Sequence, residues 1–212
     1  MNVKKFAWLV RPFPHGINRL DMFKSDNFVA IGWPGIGDLA GKSREELKRI
    51  LSQEPYKLSG LALGNAYATV DLFVNQFGIG DYILVPDGDD IYFAKLVSDY
   101  YFDASVDTQD AGYSHQRRVE WCTSTARKNL SDELRMSLKV HRTTADLSHH
   151  YDEIATLAAG HIYEPQSLKT IKVSYPLRAD HIISFEIPED MTQDESLRLS
   201  DYIRTLYFVK NK

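Results

Sequence analysis

The run Ile31-Gly32-Trp33-Pro34-Gly35-Ile36-Gly37-Asp38-Leu39 constrains this chain more than any other stretch. An apolar, strand-like segment, Phe28-Val29-Ala30-Ile31, feeds directly into it. Pro34 cannot continue a ladder, and the glycines let the backbone turn sharply and let another body approach closely. A bulky indole carried on such a turn has two destinations. It plugs the core, or it offers a flat face to a planar ligand. Trp8 and Trp121 lie in similar strand-like runs, so the same question applies to them.

Around that turn the hydrophobic pattern alternates between strand and helix. Phe6 to Val10 reads as a first strand, ended by Arg11-Pro12-Phe13-Pro14, and Asn27 to Trp33 as a second. Ser43-Arg44-Glu45-Glu46 is a capping box, followed by a helix with Leu47, Ile50 and Leu51 as its apolar stripe. Leu61 to Phe77 reads as one helix, stopped by Gly78-Ile79-Gly80-Asp81. Asp87-Gly88-Asp89-Asp90 then joins the strands Tyr82–Pro86 and Ile91–Val97 as a hairpin turn. Arg118-Val119-Glu120-Trp121 opens another β segment, with Val119 and Trp121 on one face by period two. Helices are expected over Ser131–Leu138 and Ser148–Ala159, the latter closed by Gly160.

The last part changes character. Thr170–Leu177 and His181–Ile187 read as paired strands, and Thr192-Gln193-Asp194-Glu195 is a second capping box. It opens a helix with Leu199, Ile203, Leu206 and Tyr207 on one side. The expected organisation is therefore a domain over 1–160 and a small β-β-α packing or assembly unit over 165–212, suited to a homodimer or another partner.

Composition narrows the class. The chain has 212 residues, 43% hydrophobic and 25% charged, as in ordinary soluble globular proteins. No run approaches the ~18 apolar residues of a membrane span. The N-terminus reads as a first strand, not a signal peptide, so a cytoplasmic location is expected. Cys122 is the only cysteine, which excludes an intramolecular disulfide and a Cys-based zinc cluster. A net charge of −4 argues against a general nucleic-acid coat. The charge is uneven, however: Tyr113 to Arg142 holds seven Lys/Arg against three Asp/Glu, whereas Asp87 to Asp110 holds seven Asp and one Lys.

Catalytic signatures are poor. Gly35-Ile36-Gly37 is not extended to a dinucleotide fingerprint, and Gly41-Lys42-Ser43 lacks the upstream glycine of a phosphate-binding loop. Adjacent His149 and His150 cannot face one ligand from a helix. Glu46-Leu47-Lys48 resembles half of a metal-dependent nuclease motif, but it lies in the capped helix. No catalytic residue, metal or cofactor is expected.

Taken in order, several segments resemble the EVE branch of the PUA-like superfamily. They are Trp8-Leu9-Val10-Arg11, Ile31-Gly32-Trp33 with Gly37-Asp38-Leu39, Asn65 leading to Phe73-Val74, Ile79 to Pro86, Ala94 to Tyr100, and Arg117 to Trp121. The resemblance covers roughly residues 1–160. It extends to the EVE-like domains at the N-termini of Mrr-type restriction proteins and, more distantly, to YTH readers. It implies an α+β fold, a twisted β-barrel flanked by helices, carrying an aromatic cage for one flipped or modified base of DNA or RNA. Trp33 and Trp8 would wall the cage, Asn65 would read a base edge and Arg11 would touch base or phosphate. Arg117, Arg118, Arg127 and Lys128 would hold the backbone. Extracting a base costs a few kcal/mol, and aromatic stacking returns about 1–3 kcal/mol. A stand-alone reader of this kind suggests a setting in restriction, phage defence or counter-defence. Two competing expectations are a non-catalytic interaction or assembly module acting with a partner nuclease, and a nucleotide-handling enzyme.

Overall fold

Both faces of the main sheet are buried, which is why its central strands read as unbroken apolar runs. The computed structural model describes residues 5–164 and 169–206 and falls into two units, Met1–Glu164 and Pro165–Lys212. The first unit contains β1 (Ala7–Val10), β2 (Phe28–Ile31), β3 (Tyr82–Asp87), β4 (Asp90–Leu96), β5 (Tyr101–Phe102), β6 (His115–Ala126) and β7 (Thr144–Asp146). Its helices are α1 (Leu20–Asp26), α2 (Arg44–Ser52), α3 (Gly60–Asp71), α4 (Asp132–Ser137) and α5 (Tyr151–Ala158). The strands lie in the order β2-β6-β4-β3-β1-β7, with β5 also on β6. β1 and β3 are parallel; the other pairings are antiparallel.

Period-two alternation sorts each strand between two cores. Trp8, Val10, Ile83, Val85, Ala94 and Leu96 pack with Phe23 of α1, Leu47 of α2 and Val70 of α3. Ala7, Leu9, Leu84, Ile91 and Phe93 pack on the other side with Leu134 of α4 and Ile154 of α5. The sheet curls into a half-barrel. β6 pairs with β2 and β5 through residues 115–118 and with β4 through residues 119–126. On β4, Phe93 pairs with Thr123 but Ala94 with Trp121, so Cys122 is the extra residue of a bulge, a feature that bends a strand. The α+β class and the curled, helix-flanked sheet are thus observed.

Three local departures from the sequence reading are instructive. The helix expected over Leu61–Phe77 is α3 followed by a π-helical turn, Leu72–Gln76. Arg117 explains where that turn's carbonyls go: its Nε donates to Phe73 O at 2.7 Å and its Nη2 to Val74 O at 2.9 Å. β6 begins at His115, three residues before the expected start. Finally β5, β7 and α1 carry too few residues to show a period, so only tertiary pairing reveals them.

In the second unit, β8 (Thr170–Arg178) pairs antiparallel with β9 (His181–Pro188), followed by α6 (Gln193–Thr205). Thr192 and Glu195 form the expected capping box. The register pairs Ile171 with Ile187, Val173 with Phe185 and Tyr175 with Ile183, making one face of the hairpin apolar. The opposite face pairs Lys172 with Glu186 and Ser174 with Ser184. Tyr207, placed on the helix stripe by the sequence reading, lies outside the described residues.

Candidate functional site

Trp33 sits just beyond the end of β2 with φ +81°, a left-handed backbone that bulky L residues rarely adopt. Such strain persists only where surroundings over-determine it, and here they do. Tyr56 Oη donates to Pro34 O at 2.9 Å. Gly35 N donates to Asp107 Oδ1, which also accepts from Ser114 Oγ, both at 2.9 Å. Leu39 N donates to Tyr100 Oη, which lies 2.8 Å from His115 Nδ1. Burial pulls the His115 ring down to about pH 4 and pushes the Tyr100 hydroxyl well up. A neutral imidazole accepting from Tyr100 at Nδ1 leaves Nε2–H directed at Trp33 O, 3.4 Å away. The turn is therefore pinned by a buried polar network.

His15 is the second strained residue nearby, at φ 51° and ψ 30°. It wedges between two glycines: a Cβ on Gly32 would lie 2.7 Å from His15 N, and one on Gly112 would lie 2.5 Å from His15 Cβ. Gly32 is required because the Pro12–Gly16 loop presses against it. Together Phe13, His15, Trp33, Tyr56 and Thr143 line an open recess of about 220 Å³. Trp33 meets Tyr56 edge-on, with centroids 5.2 Å apart, and Phe13 is 44% exposed. That volume is below the ~300–1,000 Å³ of sites for drug-sized ligands and suits a single planar ring system. Burial, with Asp107 nearby, pushes the Tyr56 hydroxyl up to about 12, so it remains a donor at neutral pH.

The residues expected to form the site scatter. Trp33 lines the recess. Trp8 does not: it is 2% exposed, stacked against Phe6 and Phe77 at 5.4 and 4.8 Å, with Nε1 donating to Asp81 Oδ2 at 2.7 Å. It is a core residue, because alternation along β1 turns it inward and Asp81 satisfies its one polar atom. Asn65 is exposed on α3, outside the recess lining. Arg11 neither faces the recess nor is free, since its guanidinium donates to the carbonyls of Leu138, Val140 and Arg142. Its own N–H reaches Thr143 O at 2.9 Å. Arg11 therefore positions the segment that brings Thr143 to the recess.

Arg117 is not a phosphate contact, being 2% exposed and spent on Phe73 and Val74. Desolvation pulls its pKa down to about 10, still charged at neutral pH. Arg118 donates to Asp26 O at 2.7 Å and lies over the Tyr101 ring; Arg127 donates twice to Gly88 O. Lys128 is exposed. The sequence reading missed Phe13, His15, Tyr56 and Thr143. The available signal was an aromatic residue between Pro12 and Pro14, where it cannot enter a sheet interior.

Trp121 is half-buried, with Nε1 donating to Phe23 O at 3.2 Å. It borders a depression of about 540 Å³ in which Lys24 Nζ already covers the Tyr92 ring at 4.6 Å. A planar ligand has no free aromatic sandwich there. Among the described residues no group of three or more His, Cys, Asp or Glu could hold a metal ion, and no helix is long and apolar enough to cross a membrane.

A family model described as "Domain of unknown function (DUF8426)" matches residues 18–147. No curated protein matches the chain. Among solved structures, protein Atu2648 from Agrobacterium tumefaciens is similar with a TM-score of 0.33 and 11% identity, over 77% of this chain and 99% of that one. A likeness of that size carries no argument.

Proposed function

From the premise that this chain belongs to the DUF8426 family, a domain of unknown function, we propose that it is a non-catalytic nucleic-acid reader that holds one unstacked or modified base in the Trp33 recess. The observation that carries this reading is the strained, network-pinned presentation of Trp33 beside Tyr56 and Phe13 around an open recess of single-ring-system size. Strained backbone that a buried network maintains is the kind of feature found at binding sites. The base would lie against the Trp33 indole, with Tyr56 and Phe13 closing its edges and His15 or Thr143 reaching a polar edge. The curled, helix-flanked sheet is compatible with kinship to EVE-like domains of the PUA-like superfamily. Backbone contacts fall to exposed cations such as Arg142, next to Thr143 in the chain, and Lys128. In this reading the setting is restriction or phage defence, with chemistry left to a partner nuclease.

The test is binding of short DNA and RNA oligonucleotides with and without 5-methylcytosine, 5-hydroxymethylcytosine or N6-methyladenine. At least one modified strand should bind at least tenfold more tightly than its unmodified counterpart. Trp33→Ala should remove that preference, given about 1–3 kcal/mol per stacked base. Equal affinity for every strand, or none, overturns the proposal.

A further inference from the structure

β6 outruns one of its neighbours. β2 pairs with it only through residues 115–118, and Val119 N donates to Asn27 O at 3.0 Å. Asn27, the left-handed cap of α1 at φ +55°, is where the chain leaves the sheet. β4 continues beside residues 119–126 on the other edge, and β5 reaches only residues 115–116. Residues 120–126 therefore have a strand on one side, and among the described residues none pairs with the other side. Such an edge presents a row of N–H and C=O groups that can template another strand. Of residues 120–126 only Glu120 is charged and none is proline, so apart from the Cys122 bulge the devices that blunt an edge are missing.

A depression flanks this edge on each face of the sheet. One, of about 540 Å³, lies by Lys24, Tyr92 and Trp121; the other, of about 340 Å³, lies by Leu157 and Ile162. Thr123 and Ser124 border both. Tyr92 and Trp121 pack with the core under α1 and α2, and Leu157 with the core under α4 and α5, which puts the two depressions on opposite faces. Successive side chains of an added strand point to opposite faces, so alternate residues would enter each depression in turn. Free main chain with pockets for alternate side chains is how proteins capture an extended peptide. Charge selects the occupant. Lys24 is the one Lys, Arg, Asp or Glu lining either depression, and among the described residues no carboxylate pairs with it. On the other face Leu157 and the 87% exposed Ile162 suit an apolar side chain. A second copy's residues 120–126 bring one acid, Glu120, and no acidic–apolar alternation. We propose that residues 120–126 of β6 capture an extended acidic segment of a partner protein by strand addition. Its acidic side chains lie against Lys24 and its alternate, apolar ones against Leu157 and Ile162.

Thiol chemistry on the full chain reads this edge directly, because Cys122, the only cysteine, is exposed on it. The probes are an octapeptide alternating valine with glutamate, one alternating valine with lysine, and the glutamate peptide N-methylated at every amide. Saturating glutamate peptide should slow modification of Cys122 roughly tenfold, and it should bind roughly tenfold more tightly than the lysine peptide. N-methylation should abolish binding, since main-chain hydrogen bonds carry the affinity. Lys24→Glu, at an exposed position of α1, should leave the fold intact and reverse the preference toward the lysine peptide. Failure of the glutamate peptide to bind, binding unchanged by N-methylation, or a preference that Lys24→Glu does not reverse overturns the proposal. So does protection of Cys122 by a single-stranded oligonucleotide and by neither peptide, or by self-association of the chain alone.

Discussion

Trp8 and Trp33 put one side chain to opposite uses. Trp8 lies inside a paired strand, where period-two alternation turns it inward and Phe6, Phe77 and Asp81 close around it. Trp33 lies two residues past the last residue of β2, where no ladder dictates its direction; at positive φ its half-buried ring packs on the edge of the core and lines the recess. The pattern around the two tryptophans is similar in sequence. What separates them is where pairing stops and what pins the chain after it stops. A sealed indole bears on stability; one that lines an open recess and is held by a polar network bears on the proposed binding.

The largest effect should come from Trp8→Ala. It removes a sealed aromatic side chain and leaves the buried Asp81 without one donor, at a cost of about 3–5 kcal/mol in denaturant unfolding. A loss below about 1 kcal/mol would place Trp8 in an accessible pocket after all and dissolve the contrast.

Acid should attack the pinning network next. Below its ordinary pKa of 6.5 the unfolded chain protonates His115, whereas the folded ring stays neutral down to about 4. The unfolded state therefore binds more protons in that window, and stability falls as pH drops from about 6.5 to about 4, then levels. At 1.36 kcal/mol per pKa unit the full loss is roughly 3 kcal/mol. Chemical unfolding of the wild type and His115→Gln at neutral pH and near pH 4 measures it. The variant should be the less pH-sensitive, and matching slopes in both proteins would refute the account.

The smallest and most discriminating effect concerns backbone strain. Trp33→Ala should cost about 1 kcal/mol, mainly the edge contact with Tyr56. Trp33→Gly should be more stable than Trp33→Ala by about 1 kcal/mol, because glycine relieves the positive φ. Both should bind modified oligonucleotides equally poorly. A glycine variant no more stable than the alanine one would mean that Trp33 carries no strain.

Much of the scaffold was legible because it is local. The apolar runs of β1, β2, β3 and β4, the Asp87–Asp90 turn and both capping boxes follow from propensity and spacing over a few residues. Arg117 was misread because alternation locates a strand residue on a face without saying what waits there. The carbonyls of Phe73 and Val74, more than 40 residues away, made it a buried anchor.

By itself the sequence determined the α+β class, the turn at Trp33 and the amphipathic hairpin near the end of the chain, since each depends on neighbours within a few positions. Only tertiary structure decided which indole is open. The recess gathers Phe13, Trp33, Tyr56 and Thr143 from four distant segments. Arg11, His115 and Asp107 act on it through hydrogen bonds to backbone, groups that every residue shares and that leave no mark in the pattern of side chains.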